Sequence, residues 1–148
     1  MKPTLVHPSW HDIEKATALI AHQTMKTLFP VGWVIGLTRG GLVPAVIFSQ
    51  MLDVPMMPAN YSSKTGAGDN KNHNNMLPSI ECACNILIID DICDTGHTLE
   101  EVKQHYVDQN HDVKTAALYY KESSVHVPDF YVHKIPENSP WIIFPWEI

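Results

Sequence analysis

The residues best equipped for chemistry stand together in ILIIDDICDTGHTL, residues 86–99, where Asp90 and Asp91 are adjacent, Asp94 follows, and Thr95, Gly96, His97 and Thr98 complete the run. Neighbouring carboxylates can hold a divalent cation or sugar hydroxyls, or steady positive charge that grows during a reaction. The Thr-Gly-His-Thr run falls where a helix should begin. There, unpartnered backbone N–H groups and the helix dipole favour an anion, best of all a phosphate. Gly96 permits a tight turn and close approach, and the two threonine hydroxyls add donors. Three carboxylates would repel a bare anion, but a sugar phosphate offers hydroxyls to the acids and its phosphate to the turn. Helix capping could occupy one acid, yet it leaves the adjacent pair and the Thr-Gly-x-Thr run unexplained.

Such a cluster must be positioned by a strand before it and a helix after it. Ile86, Leu87, Ile88 and Ile89 form an unbroken apolar run suited to a strand buried on both faces. Beyond the loop, Leu99, Val102 and Tyr106 recur at helical spacing, with Glu100, Glu101, Lys103 and Gln104 on the other face. The acids then sit at a strand's C-terminal edge, where open α/β sheets bind ligands.

The remaining pattern extends this unit. A helix is expected over His11–Leu28, opened by the Pro8-Ser9 turn, with Ile13, Ala16, Leu19, Ile20 and Met25 buried. Trp33–Leu37 reads as a strand, Leu42–Leu52 as a helix, and Val54–Tyr61 as a strand interrupted by Pro55 and Pro58. Residues 62–80 are rich in Gly, Asn, Ser, Lys and His, as a long mobile loop requires. Val113–Tyr120 is another strand, followed by a Pro-rich region of short segments. Strands alternating with helices imply a single α/β domain with a mainly parallel twisted sheet flanked by helices. At 148 residues there is no room for a second catalytic domain.

A second possible anion site is Arg39-Gly40-Gly41, just past a strand. The guanidinium and the amides that glycine leaves uncovered suit polyphosphate oxygens. Alone, Arg-Gly-Gly reads better as a plain turn with an incidental surface Arg; the phosphate-type loop later in the chain reverses that in favour of binding. A net charge of −6 argues against a general nucleic-acid or anionic-membrane surface. No apolar run reaches membrane-spanning length, and three cysteines, Cys82, Cys84 and Cys93, cannot all pair internally, so a cytoplasmic setting is expected. Cys82-x-Cys84 lacks a second Cys/His pair at zinc spacing and reads as ordinary strand-edge residues.

Three segments in order resemble the type I phosphoribosyltransferases. ILIIDDICDTGHTL is similar to their ribose-phosphate signature, and VIGLTRGGLVPAVIFSQML, residues 34–52, to their pyrophosphate loop. The C-terminal WIIFPWEI resembles the purine-binding ending of short bacterial 6-oxopurine enzymes. The resemblance implies transfer of a phosphoribosyl group from 5-phosphoribosyl 1-pyrophosphate to a purine base with Mg²⁺. It assigns Asp90, Asp91, Asp94, Thr95, Gly96, His97 and Thr98 to the ribose phosphate, with Asp90 and Asp91 also toward the metal and Asp94 as catalytic group. Thr38, Arg39 and Gly40 would hold pyrophosphate, in a loop that in the family often contains a strained or cis peptide. Tyr61, Ser62 and Ser63, with Lys64 after them, would belong to a lid spanning about 62–80 that keeps water from a cation-like ribose. Many purine enzymes carry Ser-Tyr where this chain has Tyr-Ser-Ser, so the lid role attaches first to the segment. Base contacts would come from about 121–148, a small C-terminal hood: Lys121 for a 6-oxo group, Trp141 for stacking, Ile142 through its backbone and Glu147 for an N–H, with Trp146 in the core. A homodimer or homotetramer is also implied. A phosphoribosyltransferase for another base, or a non-catalytic regulatory protein on the same fold, are the other readings; Lys121, Trp141 and Asp94 are the residues that separate them.

Overall fold

A computed structural model describes residues 5–63 and 75–148. Strands β1 (Leu5–Val6), β2 (Trp33–Leu37), β3 (Met56–Ala59), β4 (Asn85–Cys93), β5 (Asp112–Lys121), β6 (Phe130–Ile135) and β7 (Trp141–Ile142) are joined by helices α1 (Trp10–Met25), α2 (Leu42–Leu52) and α3 (His97–Val107). Five strands form one sheet in the order β3-β2-β4-β5-β6, every pair parallel. The chain is thus an α/β domain with its sheet between helical layers, as its alternating pattern implies.

The apolar run of β4 divides its side chains between the two layers, as strand alternation requires. Leu87 and Ile89 pack with Ile13, Ile20 and Phe48 of α1 and α2. Ile86 and Ile88 pack with Leu99, Val102 and Tyr106 of α3. All four are fully buried, each worth about 1.5–3 kcal/mol of transfer free energy. The strand also runs further than its apolar residues, keeping register with β5 through Asp90 opposite Ala117 to Cys93 opposite Tyr120. Asp90 and Asp91 therefore lie within the strand rather than beyond it.

Helix α1 opens as expected: Ser9 accepts from the Asp12 amide at 3.1 Å while Asp12 Oδ2 accepts from the Ser9 amide at 2.8 Å, a reciprocal capping box. It ends at Met25, three residues before the expected Leu28. The hydroxyls of Thr24 and Thr27 donate to the carbonyls of Ala21 and Thr24 at the last turn, which closes the helix there. The buried stripe is Ile13, Ala16, Thr17, Ile20, Ala21 and Thr24. Leu19 and Met25, expected inside, are 50% and 68% exposed because they fall off that stripe. Strand β3 occupies only the middle of the expected Val54–Tyr61, and the loop expected over 62–80 lies largely outside the described residues. A small parallel ribbon stands apart from the main sheet, pairing Leu5 with Trp141 and Val6 with Ile142.

Candidate active site

At the C-terminal end of β4, the Asp91 amide donates to Asp90 Oδ1 at 2.9 Å and the Ile92 amide to Asp91 Oδ1 at 2.7 Å. Burial holds the Asp90 carboxyl well above the usual carboxylate range, and the neighbouring Asp91 charge adds to this. Asp91 is raised as well, mainly by burial, with Glu147 contributing repulsion. Two such acids resist ionising together, and a bound cation would relieve both. Oxygen donors on a pair of acids suit Mg²⁺, which keeps most of its shell as water and substrate oxygens. Among the described residues, no group of three His, Cys, Asp or Glu side chains is arranged as a metal cage, so any such ion would rely on those other oxygens.

The raised pKa values have a consequence for stability. A carboxyl whose folded pKa exceeds its unfolded value stabilises the fold below the unfolded pKa and loses that contribution as pH rises through the folded pKa. At pH 8 the unfolded chain holds both carboxyls ionised, a form that burial disfavours in the folded protein, so folding carries a cost there. Asp90→Asn keeps an acceptor for the Asp91 amide and removes one charge, so it should raise Tm at pH 8 by about 2–4 °C and change it little at pH 4. Thermal denaturation at the two pH values checks this; a Tm at pH 8 that is unchanged or lower overturns it.

The phosphate-type turn is built where α3 begins. Gly96 has φ +88°, and a Cβ there would run into the Ser124 hydroxyl and lie 2.7 Å from the His126 amide nitrogen. No other residue fits both demands. Thr95 accepts at its carbonyl from the Val125 amide at 2.9 Å, and the Glu100 amide donates to the Gly96 carbonyl at 3.1 Å. Asp90, Asp94, Thr95, Gly96 and Thr98 line one pocket of about 300 Å³. His97, the first helical residue, does not line it.

The β2–α2 loop brings Arg39 to the same edge. The Thr38–Arg39 peptide is cis. Thr38 donates its amide to the Ala59 carbonyl at 2.9 Å and its hydroxyl to Asn60 Oδ1 at 3.0 Å. Gly40 lies so close to the Asp91 carboxylate that a Cβ would overlap it. Arg39, Gly40, Asp91, Trp146 and Glu147 line a wide cavity. Trp146 is therefore not confined to the core: it stacks on Phe144 at 4.9 Å and 4° and presents part of its surface to this cavity.

On the other side of the acids, Lys121 Nζ pairs with Asp94 Oδ1 at 2.7 Å. The two line a pocket of about 410 Å³, open to solvent, with Ile92, Trp141, Ile142 and Glu147. Trp141 is 63% exposed and Ile142 is buried in the core. Asp94 lines both this pocket and the phosphate-type pocket. Glu147 likewise belongs to two cavities, this one and that of Arg39.

The residues expected to begin a lid turn toward α3. Tyr61 donates to Glu101 Oε2 at 2.8 Å and Ser63 to Glu101 Oε1 at 2.9 Å, while the Ser62 amide donates to Asn75 Oδ1 at 2.9 Å. Burial and Glu101 push the Tyr61 hydroxyl up to about 12. Lys64 lies outside the described residues. Helical spacing assigns Glu101 to the polar face of α3, and its position one turn beyond His97 is the sequence signal that it can reach Tyr61 and Ser63.

The fold and this edge define an α/β protein that gathers a glycine turn at a helix start, a buried acid pair and an Arg-Gly-Gly loop at one end of a parallel sheet. The family model for the phosphoribosyl transferase domain matches residues 9–148, and the chain belongs to that family. It is 30% identical over 140 residues to a xanthine-guanine phosphoribosyltransferase of Desulfotalea psychrophila, covering 94% of this chain and 84% of the relative. A second xanthine-guanine phosphoribosyltransferase, from Cereibacter sphaeroides, is 31% identical over 150 residues, with 96% and 86% covered. Among solved structures, a purine phosphoribosyltransferase from Pyrococcus horikoshii superposes with a TM-score of 0.82 at 31% identity, covering 97% of this chain and 95% of that one.

Proposed function

We propose that the protein transfers the 5-phosphoribosyl group of 5-phosphoribosyl 1-pyrophosphate to a 6-oxopurine, with Mg²⁺, releasing pyrophosphate. The observation that carries this reading is the Lys121–Asp94 pair, set in a small pocket between the phosphate-type turn and Trp141. The relatives named for purine substrates support it.

In this reading Thr95–Thr98 hold the 5′-phosphate through amides and hydroxyls, and Arg39 with the amides around Gly40 receives the pyrophosphate. Asp90 or Asp91 would hold Mg²⁺, which when bound would supply charge neutralisation for the leaving group. As the bond from C1′ to pyrophosphate breaks, its electron pair leaves with the pyrophosphate and positive charge grows on the ribose. The acid cluster stabilises that charge more than the ground state. An unprotonated ring nitrogen of the purine bonds to C1′, and Asp94 accepts or steers the proton that the ring then loses from N7. Lys121 donates to the 6-oxo oxygen, Trp141 stacks on the ring, Ile142 offers backbone contacts and Glu147 accepts from an N–H of the base. Tyr61, Ser62 and Ser63 form the described end of a lid, with Glu101 as its docking point. A homodimer or homotetramer working in the cytoplasm completes the proposal; among the described residues, no helix is long and apolar enough to cross a membrane.

The test is pyrophosphate release from 5-phosphoribosyl 1-pyrophosphate with Mg²⁺ and, in turn, guanine, xanthine, hypoxanthine, adenine, uracil and orotate. Turnover confined to 6-oxopurines supports the reading. Turnover with adenine or a pyrimidine moves the base assignment, and silence with all six alongside ligand binding favours a regulatory protein.

A further inference from the structure

We propose that Thr115, remote from the pocket on β5, is a positioning residue for the 5′-phosphate turn, a role that rests on the transfer reading above. Val113, Thr115 and Ala117 share the sheet face covered by α3, and Thr115 is completely buried among apolar neighbours. A hydroxyl in such a place must be satisfied, and its partners all belong to the segment between β5 and β6. Thr115 Oγ1 meets His126 Nε2 at 2.8 Å and Asp129 Oδ2 at 3.3 Å, and it accepts from the Asp129 amide at 3.3 Å. The Thr115 amide donates to Asp129 Oδ2 at 2.8 Å, and Lys103 of α3 lies 3.6 Å from the same oxygen.

This anchored segment presses directly on the turn. The Val125 amide donates to the Thr95 carbonyl at 2.9 Å. Ser124 and His126 flank Gly96 so closely that no Cβ could stand between them. The Ser124 hydroxyl donates to the His126 carbonyl at 2.7 Å and meets Cys93 Sγ at 3.2 Å, closing the link back to the end of β4. Loop residues ordinarily tolerate shifts, but here the turn's amides can only aim at a phosphate if 124–126 stay in place. Thr115 is the point at which those residues are tied to the rigid sheet. The base pocket, bounded by Lys121 and Trp141, meets this segment at the Lys121 carbonyl, which accepts from the Ser124 amide at 3.0 Å, and none of the Thr115 bonds reaches a residue that lines it.

The experiment compares Thr115→Val, which keeps the shape and loses the hydroxyl, with Thr115→Ser, which keeps the hydroxyl. Ribose 5-phosphate binding is measured by calorimetry, together with KM for each substrate, kcat and Tm. Thr115→Val should weaken ribose 5-phosphate binding and raise KM for 5-phosphoribosyl 1-pyrophosphate about fivefold to tenfold. Saturated kcat and KM for the base should stay within about twofold, and Thr115→Ser should restore the wild-type values. If Thr115→Val fails to fold, His126→Phe, which keeps a ring and loses Nε2, provides the same comparison. Unchanged ribose 5-phosphate affinity, a uniform loss in both KM values and kcat, or a wild-type protein that does not bind ribose 5-phosphate overturns the proposal. A wild-type protein that binds ribose 5-phosphate but turns over no base refutes the transfer reading alone, and the binding comparison still decides the role of Thr115.

Discussion

Asp94→Asn is expected to lower kcat by about 10²–10⁴ while leaving affinity for 5-phosphoribosyl 1-pyrophosphate within a few-fold of wild type. The substitution preserves side-chain volume and one acceptor oxygen, removes the charge, and turns the second oxygen into an NH₂ donor. Asp94 lines both the phosphate-type pocket and the pocket of Lys121 and Trp141, so it stands where the two reactants would meet. Its carboxylate also neutralises Lys121 at 2.7 Å. An amide there can neither take a proton from the incoming base nor balance the lysine. The Thr95–Thr98 turn keeps its backbone framework, which explains why binding should survive if the phosphate docks there as proposed. Calorimetric titration beside steady-state rates separates the two effects, and equal loss of turnover and binding would contradict the assignment of Asp94 as proton acceptor.

Gly96→Ala should act in the opposite sense, abolishing ribose 5-phosphate binding by a factor of about 100 or more while leaving the base pocket intact. Its φ of +88° is unfavourable for alanine, at a cost of about 1 kcal/mol. Contact with neighbours matters more. The Ser124 hydroxyl could rotate away, but the His126 amide nitrogen is backbone, 2.7 Å from where the methyl would sit, and it cannot yield without moving the segment. The turn and its brace must separate, and the amides lose their aim. Each tenfold loss corresponds to about 1.4 kcal/mol, within reach of a displaced anion site. Measured ribose 5-phosphate affinity decides the matter; binding within threefold of wild type would show that the turn is not where the phosphate docks.

Much of this architecture was legible locally. The Ile86–Ile89 run with Leu99, Val102 and Tyr106 specifies a strand and helix by periodicity alone, and Ser9 with Asp12 marks a helix start through a contact three residues long. What was not legible depends on partners distant in sequence. The length of β4 is set by β5, whose register carries the strand past its apolar residues to Cys93. Trp146 reads as core by composition, and only the arrival of Arg39 and Asp91 beside it makes it a cavity wall. Thr115 looks like an ordinary β-branched strand residue until His126 and Asp129 fold back onto its hydroxyl. The end of α1 turned on threonine hydroxyls competing for carbonyls, a balance that hydrophobic spacing does not report. The strand-loop-helix pattern placed the acids at the C-terminal edge of the sheet, and there Asp91 shares a cavity with Arg39 and Asp90 shares one with Gly96.

The parallel pairing of Leu5–Val6 with Trp141–Ile142 bears on how such a protein could change its choice of base. Trp141 and Ile142 belong to a ribbon whose hydrogen bonding lies outside the main sheet, while the acids and the phosphate turn are held by β4, β5 and α3. Lys121, on the same pocket, is carried by β5, so the ribbon supports only the wall that bears Trp141. If that wall stacks on the base as proposed, drift in Leu5 or Val6 would retilt it without moving β4 or α3, and inherited differences in base preference would arise at the opposite end of the chain from Trp141.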